Sequence, residues 1–297
     1  MIEPILTVFT PTYNRAHCLE KCYESLKRQS IKTFIWMIID DGSTDNTRDL
    51  VETWLNEKND FKIEYVYKEN GGLHTGYNEA IKRANTELMV CIDSDDYMPD
   101  DAVETIVNFW ETNGGENYAG IVALDVYENG QTIGDKFPDI HDINLIDVLI
   151  GKYHFVNGDR KNVVRTELYK KVAPMPSFDG EKNFNPHYMH LQISKEYNFL
   201  VLNKPLCVVE YQPDGMTNSI FKQYYNSPKS FAQIRRLHMS FEKAPVSFVF
   251  RQCIHYVSSC KLAKSKHIIA TSPKPFLTML AYPFGILLMR YIIYKGK

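Results

Sequence analysis

LMVCIDSDD, residues 88 to 96, is an apolar run that ends abruptly in three carboxylates within four positions. Runs of this kind read as a strand buried on both faces, and Val90, Cys91 and Ile92 suit that role. Stability alone gives no reason to deliver Asp93, Asp95 and Asp96 to the end of such a strand. Like charges crowded together repel, and desolvated carboxylates are costly unless a cation or donor compensates them. A hard divalent metal meets that need, since it prefers oxygen ligands and commonly bridges one or two carboxylates to a substrate's phosphates. The stretch predicts a metal–phosphate site at the carboxyl end of a strand.

Outward from this strand, the first 125 residues alternate strand and helix. Strands are expected at Ile5–Thr10, Phe34–Ile39, Ile63–Tyr67 and Leu88–Asp93. Helices are expected at Leu19–Gln29, after the cap Asp41-Gly42-Ser43-Thr44-Asp45, at Leu73–Ala84 and at Asp101–Thr112. This rhythm predicts an α/β fold, a mostly parallel sheet with helices on both faces. Open sheets bind ligands outside the carboxyl ends of their strands. Three polar clusters fall there: Thr10-Pro11-Thr12-Tyr13-Asn14, Asp40-Asp41-Gly42-Ser43 and Asp93-Ser94-Asp95-Asp96.

Beyond residue 125 the pattern weakens. Loop and short helix are expected over Gly130–Ile150, a strand within Asn157–Arg165, and a short helix at Thr166–Val172. A loop over Met175–Pro186, a helix over His187–Tyr197, strands at Phe199–Leu202 and Cys207–Tyr211, and a turn at Pro213-Asp214-Gly215 follow. Helices are expected at Tyr224–Glu242 and Val246–Ile269.

At 44 % apolar and 24 % charged, the composition is that of a folded globular chain. The net charge of −2 hides a division, because Phe221 to Lys297 holds 13 Lys/Arg against the single acid Glu242. Such a tail is expected to meet an anionic surface. Its apolar stretch Phe276–Met289 is interrupted by Pro283 and Gly285 and reaches Arg290 after 14 residues. A spanning helix needs about 20 apolar residues, so an interfacial element on an anionic membrane is expected over 276–294. The alternative is a helix docked on the protein's own core. The apolar content argues against a nucleic-acid partner.

The six cysteines form no CxxC pair and read as reduced apolar fillers. No secretory signal precedes the first strand, so the chemistry is expected in the cytoplasm, peripheral on the inner face of the cell membrane. Neither GxGxxG nor GxxxxGK[ST] occurs, which disfavours a dinucleotide or P-loop enzyme.

Four segments in register, TVFTPTYNR (7–15), IIDDGSTDNT (38–47), ENGGLHTGYNEAIKRA (69–84) and CIDSDDYMPD (91–100), resemble the family 2 glycosyltransferases of GT-A fold. A weaker likeness continues through GDRKNVVRTELYKK, GEKNF and EYQPDGMT. The members most resembled build bacterial surface polysaccharides.

The resemblance implies a GT-A domain over 1–219, with a nucleotide-sugar half (1–125) and an acceptor half (126–219), followed by a basic helical region over 220–297. It implies an inverting, metal-dependent glycosyltransferase that moves sugar from a nucleotide sugar, UDP-linked by analogy, to a glycan or lipid-linked saccharide. Pro11, Thr12 and Tyr13 would lie by the base, Asp41 would accept a hydrogen bond from it, and Arg15 would support the diphosphate. Asn70, Gly72 and Asn78 would shape the ribose and sugar side, with His74 within reach or simply solvated. Asp93 would contact the ribose or the metal's waters, and Asp95 would ligate Mn²⁺ or Mg²⁺. Asp96 divides between a ligand role and capping the turn into Tyr97.

Inversion requires a base for the acceptor hydroxyl. Relatives usually place an acid where this sequence has Asn185-Pro186-His187, so the base lies among His187, Glu181 and Asp179. Two other readings stay open. One is a glycosyltransferase-like module that binds without turnover. The other is a haloacid-dehalogenase-like phosphatase, disfavoured because Tyr97 stands where that family has Thr or Val.

Overall fold

The computed structural model of the chain describes residues 3–211 and 220–296. Two compact units are present: Met1–Pro174 with Met189–Tyr211, and Met175–Tyr188 with Gln212–Lys297.

The first unit is built on one eight-stranded sheet. Its strands are β1 (Leu6–Thr12), β2 (Phe34–Asp40), β3 (Lys62–Tyr67), β4 (Leu88–Cys91), β5 (Tyr118–Val126), β6 (Asp142–Ile143), β7 (Arg160–Arg165) and β8 (Asn198–Val208). Their spatial order is β3-β2-β1-β4-β7-β5-β8-β6. β1 pairs in parallel with β2 and β4, β2 with β3, and β5 with β8. β7 runs antiparallel to both β4 and β5, and β6 antiparallel to β8. The carboxyl ends of β1, β2, β3, β4, β5 and β8 therefore share one edge with the amino end of β7.

The helices of this unit are α1 (Leu19–Lys27), α2 (Thr47–Asn56), α3 (Leu73–Arg83), α4 (Ala102–Asn113), α5 (Leu145–Leu149), α6 (Thr166–Val172) and α7 (His187–Ile193), the last starting in the second unit. Apolar spacing explains their seating. Leu19, Cys22, Tyr23 and Leu26 recur at helical period along α1 and are all buried. With Val51 and Trp54 of α2, and Val103, Ile106 and Trp110 of α4, they pack on Val8, Trp36, Ile38 and Val90. Tyr23 stacks on Trp54 at 4.3 Å and on Trp36 at 5.8 Å between ring centroids. On α3, Tyr77 meets Phe9 edge-on at 4.8 Å. Every residue of β1 is buried, as the apolar run requires.

The second unit carries α8 (Ile220–Asn226), α9 (Pro228–Met239), α10 (Val246–Leu262) and α11 (Pro275–Gly296). α11 packs on α10 through a Gly: a Cβ on Gly285 would sit 2.5 Å from Val257.

Several expected segments differ in extent. The two strands expected at Phe199–Leu202 and Cys207–Tyr211 are one strand, β8, which carries Lys204 and Pro205 through irregularities in its register with β5. The helix expected from Tyr224 is cut at Pro228, which takes the first turn of α9. α11 runs past Arg290 to Gly296, 22 residues in all, long and apolar enough to cross a membrane by length and composition. The turn expected at Pro213-Asp214-Gly215 lies outside the described residues. All six cysteines are free, four of them buried.

Candidate active site

The register of the sheet assembles the edge. Thr12 pairs with Asp40, and Asp40 with Tyr67, so the loops that follow β1, β2 and β3 leave the sheet side by side. Pro11 and Thr12 are buried at the end of β1, while Tyr13 is 47 % exposed just beyond them. Asn14, at φ 53°, accepts from the Thr44 amide at 2.7 Å, and its own amide donates to Ser43 Oγ at 2.9 Å. The Arg15 amide donates to Thr47 Oγ1 at 3.3 Å. The first two loops are thereby tied together.

Asp41 ties in the third. Its Oδ1 accepts from Lys68 Nζ at 2.5 Å and from the Gly71 amide at 2.9 Å, and its Oδ2 accepts from the Gly72 amide at 2.7 Å. Asn70 Nδ2 donates to the Asp41 carbonyl at 2.8 Å. The tight approach needs glycine: Gly42 sits at φ 82°, and a Cβ there would meet the Asn70 amide at 2.8 Å. A carboxylate offers about four acceptor positions. Here Oδ1 takes the Lys68 and Gly71 donors, with Thr75 Oγ1 at 3.4 Å, and Oδ2 takes the Gly72 amide. Asn78 is half-buried on α3, and His74 is buried in its first turn rather than solvated.

At the end of β4 the three carboxylates part company. A turn closed by the Asp96 amide on the Asp93 carbonyl, 3.0 Å, leaves Asp93 exposed and Asp95 half-buried. Asp96 turns inward and is 5 % exposed. Its carboxylate accepts from the Glu210 amide at 3.2 Å and from Cys207 Sγ at 3.6 Å, and it lies 4.0 Å from Lys161 Nζ. Its hydrogen-bond donors lie on and just after β8, not in the turn into Tyr97. Burial, with Asp93 and Asp95 nearby, pushes the Asp96 carboxyl up to about 7 despite Lys161.

Sequence reasoning missed Lys161 and Asp125. Both are buried, Lys161 on β7 and Asp125 near the end of β5, with 3.9 Å between Nζ and Oδ2. Burial opposes the Lys161 ammonium, but Asp125, Asp96 and Asp93 outweigh it and keep the amine protonated. The signal for Asp125 was present, because AGIVALD (119–125) repeats the pattern of an apolar run ending in an acid.

Burial pushes the Asp125 carboxyl up to about 6. The folded chain then holds this proton more tightly than the unfolded one, so ionisation costs stability as pH rises from about 4 to about 6, with no further change above. The amount is on the order of 1–3 kcal/mol. Urea unfolding at pH 4.5 and 6.5 is expected to show a falling stability in the wild type and a flatter profile in Asp125→Asn. Equal slopes would place the burial cost elsewhere.

The three residues proposed for proton transfer lie in the second unit. Asp179 is exposed. Glu181 is buried, and its carboxylate accepts from the amides of Lys229 and Ser230 and from Ser230 Oγ, each at 2.8 Å. It caps the N-terminus of α9, where unpaired amides and the helix dipole favour an anion. Glu181, one of the candidate bases, is thus a helix anchor in this structure. His187 opens α7, its amide donating to Asn185 Oδ1 at 2.8 Å, and burial pulls its imidazole down to about 4.

The sequence pattern of Glycosyl transferase family 2 matches residues 7–185, which contain all three strand-end clusters. The chain belongs to this family. Hyaluronan synthase of Pasteurella multocida is 25 % identical over 94 % of this family 2 chain, which spans only 29 % of that synthase. The GalNAc(5)-diNAcBac-PP-undecaprenol beta-1,3-glucosyltransferase of Campylobacter jejuni is 23 % identical over 79 % of the chain and 74 % of its own length. The crystal structure of S. aureus TarS 1-349 in complex with UDP-GlcNAc superposes with a TM-score of 0.60 at 18 % identity, covering 98 % of this chain and 90 % of that 1-349 chain. The family 2 chain thus has the GT-A fold.

Proposed function

We propose that the chain transfers a sugar from a UDP-sugar to a hydroxyl of a glycan or lipid-linked saccharide, with inversion, in bacterial surface polysaccharide synthesis. The observation that carries this reading is the shared edge where the loops after β1, β2 and β3 are tied together beside the exposed Asp93 and half-buried Asp95. Tyr13 would stack on the base, Asp41 Oδ2 would take a base N–H, and Arg15 would support the diphosphate. Asn70, Gly72 and Asn78 would border the ribose and sugar. The likeness to hyaluronan synthase and to an undecaprenol-linked glucosyltransferase supports the acceptor class.

Among the described residues, no group of three or more His, Cys, Asp or Glu side chains is set to hold a metal alone. That donor set fits Mn²⁺ or Mg²⁺ that takes one or two carboxylates from Asp95 and Asp93 and the rest of its oxygens from phosphates and water. Such an ion would offset the charge that develops on the departing diphosphate. The protein's own part is to fix the nucleotide and present the acceptor hydroxyl to a base.

His187 is the base in this reading, with Asp179 the rival. An imidazole held near 4 is neutral throughout pH 5–8, ready to accept a proton though a weak acceptor. His187→Ala is expected to lose turnover by about 10²-fold or more, with UDP affinity unchanged by calorimetry. The acid limb of kcat/KM should lie near 4 rather than 6.5. Loss in Asp179→Ala instead would move the role to the acid, and turnover in both variants would favour binding without transfer.

The second unit is read as peripheral on an anionic membrane surface, on the cytoplasmic side. Phe276, Leu280, Phe284, Leu287, Tyr291 and Tyr294 are exposed and fall on one face of α11. Thr278, Ala281, Gly285 and Ile292 are buried on the opposite face. α11 carries no acid, and Lys274, Arg290 and Lys295 flank the apolar face.

A further inference from the structure

We propose that Lys161 is a positioning residue for the sugar-nucleotide site: its ammonium holds Asp96, and through it the Asp93-Ser94-Asp95 turn, against Asp125. The inference rests on the reading of that turn as the place where the cation and diphosphate sit.

β7 lies between β4 and β5 in the sheet, and Lys161 stands on it opposite Ala123, two residues before Asp125. From there its Nζ is 4.0 Å from Asp96 Oδ2 and 3.9 Å from Asp125 Oδ2. All three residues are less than a tenth exposed. Asp125 Oδ1 has no hydrogen-bond partner among the described residues, so Lys161 is the main group that offsets its charge. Breaking a buried ion network by removing one partner leaves uncompensated charge, a larger effect than removing the whole network. Without the ammonium, Asp96 and Asp125 would face each other unscreened, and the turn that carries Asp93 and Asp95 would lose its inner anchor. Among the described residues, the polar partners of these three side chains lie on or after β4, β5, β7 and β8 rather than in the loops after β1 and β2. Lys161 should therefore act on cation-dependent binding and leave base recognition alone.

The test compares Lys161→Met with the double variant Lys161→Met/Asp125→Asn, which removes the opposing carboxylate and relieves the stability loss. UDP affinity is measured by calorimetry with and without Mn²⁺, alongside thermal midpoints. The expected result is that both variants lose at least tenfold in Mn²⁺-dependent UDP affinity while metal-free UDP affinity stays within twofold. The double variant should melt closer to the wild type than Lys161→Met does. A double variant that binds Mn²⁺–UDP like the wild type would make Lys161 only the counter-ion of Asp125 and overturn the proposal, whether or not the single variant folds. Equal loss of metal-free affinity would overturn it as well, by showing general collapse. A wild type whose UDP affinity ignores Mn²⁺ would sink the metal reading, and this proposal with it.

Discussion

Asp95→Asn is expected to lower sugar transfer by about 10³-fold or more, equivalent to about 4 kcal/mol of transition-state stabilisation. The substitution keeps the size of the side chain and removes the charge that would hold the cation against the diphosphate. Asp93→Asn should cost less, since an exposed side chain at the rim can be replaced in part by water. Asp96→Asn should act only through the turn, with a loss like that of Lys161→Met, because Asp96 faces Lys161 and the Glu210 amide rather than the open edge. Transfer from a panel of radiolabelled nucleotide sugars, read beside UDP affinity with and without Mn²⁺, ranks the three. An Asp95→Asn enzyme within threefold of the wild type would remove this residue from the reaction.

Replacing Phe276, Leu280, Leu287 and Tyr294 together by Gln should release the protein from phosphatidylglycerol vesicles. Burying one large apolar side chain is worth roughly 1.5–3 kcal/mol. Even partial burial of four gives several kcal/mol, about a 10³-fold change in partition. Gln is a good helix former, so α11 should persist. The seam through Ala281, Gly285 and Ile292 is untouched, so the packing on α10 is kept. Truncation after Ser272 is the coarser version, since it also strips α10 of its cover. Binding by the wild type should weaken as salt rises, because part of the attraction comes from lysines near the headgroups. Flotation of the fourfold variant at wild-type level would leave the exposed face without a lipid role.

Local features of the fold were legible where local chemistry decided them. Leu88–Cys91 read as a buried strand because an unbroken apolar run has few other outcomes, and α1 because its apolar residues repeat at helical period. β8 read as two strands because Lys204 and Pro205 interrupt its pattern, and only its partner β5 shows that the register shifts to carry them. Pro228 looked like an interior residue and is a first-turn residue. Arg290 ends the unbroken apolar stretch, yet its long side chain lets the charge reach water while the helix runs on to Gly296.

The site divides the same way. Tyr13, Asp41, Asp93 and Asp95 are found at strand ends because open sheets put ligands there. Asp125 and Lys161 are 36 positions apart, and they meet only because β7 turns antiparallel between β4 and β5. Glu181 is bound to amides almost 50 positions later, a pairing no period or motif encodes. Pairings across distant segments leave no local trace, and they account for most of what was missed.

The cap that Glu181 places on α9 has a mechanical consequence. It fastens the segment with Asp179 and His187 to the helices that end in α11, so these residues belong to one body. Whatever α11 rests on, that loop travels with it.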